Sequence, residues 1–319
     1  MGIQKLLPGI QRNVLLKNYT TFRIGGPAKY FFVAKNKKDL IKAISVAKKL
    51  KLPFFILGGG SNLLVSDKGF NGILIKIRNT KYEIPACPAG RQNTKIMAEA
   101  GVMLGELVNV SAKAGLSGLE WAVGIPGTIG GAIRGNAGAF NKSMKDVVKS
   151  VEALEVKNEK CKVKNFKNRD CKFSYRDSIF KDKKNLIILS AVLQLKKGKK
   201  SEIEKKVKEN LNYRKERQPL NFPSAGSVFK NPRGLATGEL GEEDKSSSLS
   251  FAAARMIEEC GLKGKKIGNV KISEKHSNFI VNLGNGKAKD VIKLIKLIKQ
   301  KVKKKFGVTL EEEIQFLGF

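Results

Sequence analysis

Apolar positions recur along this chain with two periods. A repeat near 3.6 residues marks helices. Leu40, Ile44, Ala47 and Leu50 line one face of 39–50, and Leu104, Leu107, Val108 and Ser111 one face of 103–114, where Gly115 is placed as C-cap. Ile203, Val207 and Leu211 give 201–217 a buried stripe, and Ser201 with Glu204 reads as a capping box. A short helix is expected at 252–260, capped by Gly261. A long one is expected at 288–306, with Val291, Ile295, Ile298 and Val302 inward, lysines outward and Gly307 at its end. β-rich apolar runs predict strands at 29–34, 53–57, 63–65, 73–77, 93–100, 147–156 and 186–195. The stretch 275–281 turns a polar cluster into a strand, and 310–314 reads as a closing strand.

Between these elements lie the residues that carry chemistry. Gly58, Gly59, Gly60, Ser61 and Asn62 follow the strand 53–57 directly. Consecutive glycines expose backbone N–H groups with no Cβ in the way, a nest suited to phosphate or diphosphate, and Ser61 and Asn62 add donors. A flexible turn uses the same residues. The spacing is neither Gly-x-Gly-x-x-Gly nor the P-loop, which argues against a Rossmann domain and a P-loop NTPase. A second block, 124–131, holds Gly124, Pro126, Gly127, Thr128 and Gly131 behind Trp121, the chain's one tryptophan. Such a small-residue surface suits a flat aromatic cofactor, or equally a tight helix–strand crossover. Arg176 sits among the aromatics of 173–180, where its planar fork can be held toward a carboxylate or simply stacked on Tyr175.

The stretch 224–232, Ser-Ala-Gly-Ser-Val-Phe-Lys-Asn-Pro, gathers Ser227, Lys230 and Asn231 around Gly226. Val228 and Phe229 can anchor it in a core, and Pro232 stops the element. It reads as a strand end presenting polar groups to a cavity, or as a plain strand-to-turn junction. His276 and Asn278 lie in the polar cluster before the strand at 279–281. In a strand at 310–314, Glu311 and Glu313 share one face and Glu312 takes the other. A charged break at 196–200 is a candidate domain boundary. The polar segment 233–248 is expected to be a mobile insertion.

Composition narrows the classes. A chain of 319 residues holds about two or three domains, and 41% hydrophobic content with 32 glycines fits a folded, turn-rich chain of mixed helix and strand. Cys87, Cys161, Cys171 and Cys260 form no Cys-x-x-Cys pair, so neither a zinc site nor a disulfide framework is indicated. One histidine excludes multi-histidine metal sites. No apolar run approaches the ~18 residues of a membrane helix. The stretch 1–17 lacks a secretory h-region, so a cytoplasmic chain is expected. The net charge of +34, from 62 basic and 28 acidic residues, favours anionic partners. The lysines are nevertheless spread over the polar faces of predicted helices without an RNA-binding signature, and nucleic acid is not expected.

In chain order, Asn-Tyr-Thr-Thr-Phe-Arg-Ile-Gly-Gly-Pro at 18–27, the segments 57–62 and 124–131, Tyr175-Arg176, and the segments 224–232, 275–279 and 310–314 together resemble the UDP-N-acetylenolpyruvoylglucosamine reductase family, flavoenzymes of peptidoglycan precursor synthesis. Each motif is modest alone; the whole series in order is specific, and it spans 16–319. The resemblance is to the compact type of the family. It implies an α+β fold: a two-part FAD-binding region of vanillyl-alcohol-oxidase type at 1–199, split near 80, plus a smaller α+β C-terminal substrate domain at 200–319. The segment 233–248 is an insertion relative to that pattern.

The resemblance further implies FAD as cofactor and NADPH as reductant. Hydride passes from FAD N5 to C3 of the enolpyruvyl group of UDP-N-acetylglucosamine enolpyruvate, a proton reaches C2, and UDP-N-acetylmuramate results. Gly58, Gly59, Gly60, Ser61 and Asn62 correspond to the diphosphate cradle, and Gly124, Pro126, Gly127, Thr128 and Gly131 to the flavin lining. Arg176 corresponds to the residue that stabilises the substrate carboxylate, Ser227 to the proton donor, and Glu313 to the catalytic glutamate, kept protonated by crowding from Glu311 and Glu312. Tyr175, Arg217, Asn231, His276 and Asn278 are expected substrate contacts, Arg217 with the UDP diphosphate, and Lys230, also placed at the substrate, can stabilise the alkoxide left on Ser227. A monomer without metal or membrane association is expected. Two other readings stand beside this one: a related FAD oxidase for another substrate, and a basic polyanion-binding protein whose glycine loops are structural.

Overall fold

The structure, a computed structural model, describes residues 2–85, 94–157, 160–232 and 252–319. The expected insertion at 233–248 and Cys87 lie outside the described residues. Helices and strands alternate irregularly in an α+β arrangement, and the chain divides into two compact units.

The first unit comprises Met1–Val14, Lys29–Gly59 and Asn71–Arg214. One of its sheets has the strand order Gln11–Leu15, Pro27–Ala34, Phe70–Ile77, Phe54–Leu57. The last two run parallel, with Phe54 opposite Ile73 and Leu57 opposite Lys76. A parallel pair needs a crossover, here the stretch 58–69, while the helix Lys37–Lys49 precedes both strands. Asn36 starts that helix by accepting the Asp39 N–H at 2.9 Å. Leu40, Ala43, Ile44 and Ala47 are buried in one cluster with Phe32, Ile73 and Ile75. The second sheet is five-stranded: Lys160–Lys167, Val148–Lys157, Leu186–Gln194, Lys95–Glu99, Tyr82–Glu83. Its core holds Trp121, Ile96, Val151 and Leu193 together with Leu104 and Leu107 of the helix Leu104–Lys113.

One expectation fails in this unit. The helix Lys200–Arg217 contains Ser201 in its first turn, so Ser201 is no N-cap and forms no capping box. By contacts this unit runs to Arg214 and so includes most of that helix. The reason is packing: Ile203, Asn210 and Arg214 on this helix are buried, Asn210 donating to the Glu120 carbonyl at 3.0 Å and Arg214 to that of Trp121 at 3.3 Å.

The second unit comprises Leu15–Ala28, Gly60–Phe70 and Lys215–Phe319. Its antiparallel sheet has the order Ser224–Ser227, Phe279–Asn282, Val270–Ile272, Lys266–Ile267. The helices Ala253–Glu259 and Ala288–Phe306 bury Met256, Ile257, Val291, Ile295 and Ile298 in a cluster with Val228, Phe229 and Ile280. Asp67 caps the longer helix: its carboxylate accepts the N–H groups of Ala288 at 2.9 Å and Lys289 at 3.0 Å, at the positive end of the helix dipole. Gly307, at φ +70°, ends it.

The expected strand at 310–314 is not regular. Its backbone hydrogen bonds go to the 228–230 segment, including an isolated bridge between Phe229 and Glu312. The regular strand begins at Gln315, and Gln315–Leu317 pairs in parallel with Leu63–Val65. Among the described residues, no helix is long and apolar enough to cross a membrane.

Candidate active site

In the first unit the two glycine blocks meet. The loop after Phe54–Leu57 brings Gly58 and Gly59 against the turn at 127–128. A Cβ on Gly59 would lie 2.6 Å from Gly127 Cα, and one on Gly58 would lie 2.6 Å from Thr128 Oγ1. Gly59 is therefore required for loop-on-loop packing, since its Cβ would meet backbone, whereas one on Gly58 would meet the Thr128 side chain. Thr128 caps a six-residue helix, Ile129–Arg134, accepting from Gly131 N–H at 3.4 Å. The sequence reading treated 124–131 only as a small-residue surface or crossover and missed this helix, whose Ile-Gly-Gly start masks any periodicity. A Cβ on Gly130 would lie 2.8 Å from Ala100 Cβ. Gly131 faces more open space, with only Thr128 Oγ1 at 3.7 Å from such a Cβ.

A cation accompanies this loop. Lys76 lies on the strand Phe70–Ile77 opposite Leu57, and its Nζ donates to the Gly58 carbonyl. Burial pushes its pKa below the ordinary lysine value. The sequence reading placed Lys76 in a strand without assigning it a role. Strand parity carried the signal, because Ile73, Ile75 and Ile77 share one face and Lys76 stands on the other.

Arg176 occupies a tight turn in which Ser174 and Asp177 exchange backbone hydrogen bonds at 3.1 and 3.2 Å. Its φ of +56° is a left-handed conformation, uncommon for a side chain of this size and frequent at functional sites. Its guanidinium donates to the Gly138 carbonyl at 3.1 Å and lies 5.3 Å from the Tyr175 ring centroid. Arg214, only 7% exposed, lies over Phe140 and touches the position a Gly124 Cβ would take. Burial first, then the positive charge of Arg176, lowers its pKa. Two neighbouring guanidinium groups make this part of the unit strongly attractive to an anion.

In the second unit the predicted residues converge on 227–230. The segment runs between two partners. On one side Glu313 N–H donates to the Val228 carbonyl at 2.7 Å, and Lys230 N–H to that of Glu311 at 2.9 Å. On the other, Asn278 bonds both backbone groups of Phe229. Asn62 joins the same group, its Nδ2 donating to the Glu313 carbonyl at 3.1 Å and its own carbonyl accepting Gln315 N–H at 3.0 Å. Thr21, within the 18–27 motif, donates to the Ser224 carbonyl at 2.7 Å. Gly226 has φ +78°, the left-handed backbone that glycine permits here.

Other predicted residues are engaged within the protein. Lys230 pairs with Glu311 at 3.1 Å, and Lys299 with Glu312 at 2.9 Å. Both acidic neighbours of Glu313 thus have lysine partners. Asn231 Oδ1 accepts Ala253 N–H at 3.1 Å, at the start of the helix Ala253–Glu259. His276 Nδ1 accepts Asn278 N–H at 3.3 Å. Near Arg217, at the end of its helix, a cleft of about 410 Å³ is lined by Gln218, Lys215, Lys271, Ser273 and Lys275. Among the described residues no cluster could hold a metal ion.

Residues 28–163 match the FAD binding domain family, and residues 218–317 match the UDP-N-acetylenolpyruvoylglucosamine reductase C-terminal domain family. The chain is 44% identical over 306 residues to the UDP-N-acetylenolpyruvoylglucosamine reductase of Caldanaerobacter subterraneus subsp. tengcongensis, covering 96% of this chain and 93% of the relative. It belongs to the UDP-N-acetylenolpyruvoylglucosamine reductase family. A second reductase of that name, from Caldicellulosiruptor bescii, is 43% identical over 308 residues, 95% of this chain and 89% of the relative. The crystal structure of the Thermus caldophilus reductase is 33% identical, with a TM-score of 0.76, over 97% of this chain and 98% of that one. The fold is that of the reductase family, an FAD binding region plus a smaller α+β C-terminal domain, and the chain is an FAD-dependent oxidoreductase.

The residues present fit that cofactor. Among the described residues the N–H groups of Gly59 and Gly60 donate to no protein acceptor, which leaves two donors at the nest. Lys76 adds a positive charge beside Gly58.

Proposed function

We propose that this chain reduces the enolpyruvyl group of UDP-N-acetylglucosamine enolpyruvate to UDP-N-acetylmuramate, with NADPH as reductant. One observation carries the reading. In a chain 44% identical to a reductase of that name, the 227–230 segment is held between 311–313 and Asn278, so Ser227 leads into a segment of fixed geometry.

FAD held here would supply the two-electron redox chemistry that links NADPH to the enolpyruvyl group. The nest Gly58, Gly59, Gly60, Ser61 and Asn62 holds the cofactor diphosphate, with Lys76 as counter-charge. Gly124, Pro126, Gly127, Thr128 and Gly131 give the flavin a surface without bulky side chains. Ser227 Oγ–H delivers the proton to C2, so that hydride and proton together saturate the double bond. Arg176 draws the negative charge that builds on the substrate carboxylate as hydride arrives, a role suited to a guanidinium whose stem is fixed by its turn. Glu313, whose backbone hydrogen bond holds the Val228 carbonyl, is the second catalytic group of this unit. Arg217, with Lys215, Lys271 and Lys275 around the neighbouring cleft, meets the UDP diphosphate. Tyr175, Lys230, Asn231 and His276 complete the substrate surface, with Lys230 and Asn231 oriented by Glu311 and Ala253.

The test is consumption of NADPH by the FAD-loaded protein with and without the enolpyruvyl substrate. The reading requires consumption that depends on substrate and a product with the mass of UDP-N-acetylmuramate. NADPH loss that continues unchanged without substrate, with oxygen as acceptor, would transfer the chain to the oxidase reading.

A further inference from the structure

Asn278 reads from sequence as a substrate contact, yet its side chain is committed elsewhere. It is 4% exposed. Its Nδ2 donates to the Phe229 carbonyl at 2.8 Å, and its Oδ1 accepts Phe229 N–H at 2.9 Å. Its backbone carbonyl accepts Val228 N–H at 2.8 Å. A carboxamide carries a donor and an acceptor in the geometry of a peptide, so it can take the place of a neighbouring strand.

The reason such a substitute is needed lies in the sheet. Ser224–Ser227 pairs with Phe279–Asn282, but its register is irregular between Ser224 and Ser227, where Gly226 takes φ +78°. Beyond Ser227 the chain leaves that ladder. Val228 and Phe229 are buried, each 1% exposed, and a buried peptide group without a partner is costly. Asn278 supplies the missing partner on this side. On the other side Phe229 bridges Glu312, and the Val228 carbonyl accepts Glu313 N–H at 2.7 Å. One amide therefore fixes the segment that follows Ser227 and to which the Glu313 backbone is bonded.

We propose that Asn278 is a positioning residue for the chemical step, acting through its two hydrogen bonds to Phe229 to hold Ser227 and Glu313 in register. This rests on the reading of the chain as an enolpyruvyl reductase with Ser227 as proton donor. The neighbouring His276 is tied into the same turn, since its Nδ1 accepts the Asn278 N–H.

The experiment separates the two half-reactions of the FAD-loaded protein by rapid mixing, with NADPH as reductant and UDP-N-acetylglucosamine enolpyruvate as oxidant. Asn278→Ala is expected to keep its flavin and its rate of reduction by NADPH. Its limiting rate of reoxidation should fall by as much as ~10²-fold, the scale of effect of a small misplacement near reacting groups. The concentration of substrate giving half that limiting rate should change little. Asn278→Asp adds a readout that plain destabilisation does not move. An ionised carboxyl faces the Phe229 carbonyl without a proton to donate, whereas a protonated one restores both donor and acceptor. Its reoxidation rate relative to wild type should therefore recover as pH falls toward the ordinary carboxylic acid range. Weaker substrate binding with an unchanged limiting rate would make Asn278 a contact residue and overturn the proposal. An unchanged rate in Asn278→Ala, or an Asn278→Asp ratio flat with pH, would overturn it as well, the latter even if Asn278→Ala does not fold. Failure of wild-type flavin to be reoxidised by substrate would instead remove the functional reading beneath it.

Discussion

His276 shows how much one side chain can report in this protein. It is the chain's one histidine, and burial pushes its pKa below the ordinary histidine value despite the opposing pull of its backbone hydrogen bond and of Glu258. Its Nδ1 accepts a hydrogen bond from Asn278 N–H, which needs the unprotonated nitrogen. The sign of the pH effect follows. An unfolded chain protonates this ring near pH ~6.5, while the folded chain resists until lower pH. Between those values the unfolded state binds more protons, so the stability present above the unfolded value is lost as pH falls toward the folded one. The thermal midpoint is expected to decline over this window in wild type and to decline less in His276→Gln. Since no other side chain ordinarily titrates here, parallel curves for the two proteins would remove His276 from the pH response. Asn278 belongs to the same scale. Its residue type was visible in sequence, but whether its amide faces substrate or backbone depends on a strand irregularity around Gly226 that no linear pattern displays.

At the scale of elements, the glycine loops form the proposed cofactor surface. Sequence identified both loops as backbone surfaces but not that they touch. A Gly59 Cβ would fall 2.6 Å from Gly127 Cα, against backbone that cannot rotate away. Gly59→Ala is therefore expected to lower both the thermal midpoint and the fraction of protein purified with yellow flavin. A fully loaded variant of unchanged stability would show that the two loops separate freely. Helices were legible where an apolar stripe ran for several turns, as in Lys37–Lys49, Leu104–Lys113 and Ala288–Phe306. The short helix Ile129–Arg134 was not, since its glycines leave no stripe to read. The strand Lys160–Lys167 was hidden by its lysines, although Cys161 and Val163 alternate with them and pack inward. The strand expected at 310–314 failed for another reason: its apolar ends Leu310 and Ile314 are buried as expected, but its hydrogen bonds serve the 228–230 segment. Ser201 and Glu204 had the capping spacing, yet the helix already includes Lys200 and Ser201. Cap motifs fix a helix start only when packing agrees.

At the scale of the whole molecule, a charge of +34 acts on substrates that are themselves anions. NADPH and a UDP-sugar both carry phosphates, and the attraction works over about a Debye length, roughly 8 Å at physiological salt. Raising ionic strength is therefore expected to lower kcat/KM for NADPH while leaving kcat little changed, in steady-state assays at fixed pH. A kcat/KM indifferent to salt would assign the lysines to solubility alone. The complete cycle of the proposed reaction gives the most direct test, because its two halves would share one flavin and differ in the protein groups they need. On the proposed function, reduction by NADPH would call for no proton at a substrate carbon, and reoxidation by the enolpyruvyl substrate would call for one at C2. Rapid mixing of Ser227→Ala, following flavin bleaching by NADPH and then its recolouring by substrate, should show the first phase at the wild-type rate. The second should slow by ~10²–10⁴-fold, the usual contribution of a general acid. Recolouring at the wild-type rate would contradict the assignment of Ser227 as proton donor, and equal slowing of both phases would place Ser227 on the flavin and not on the substrate.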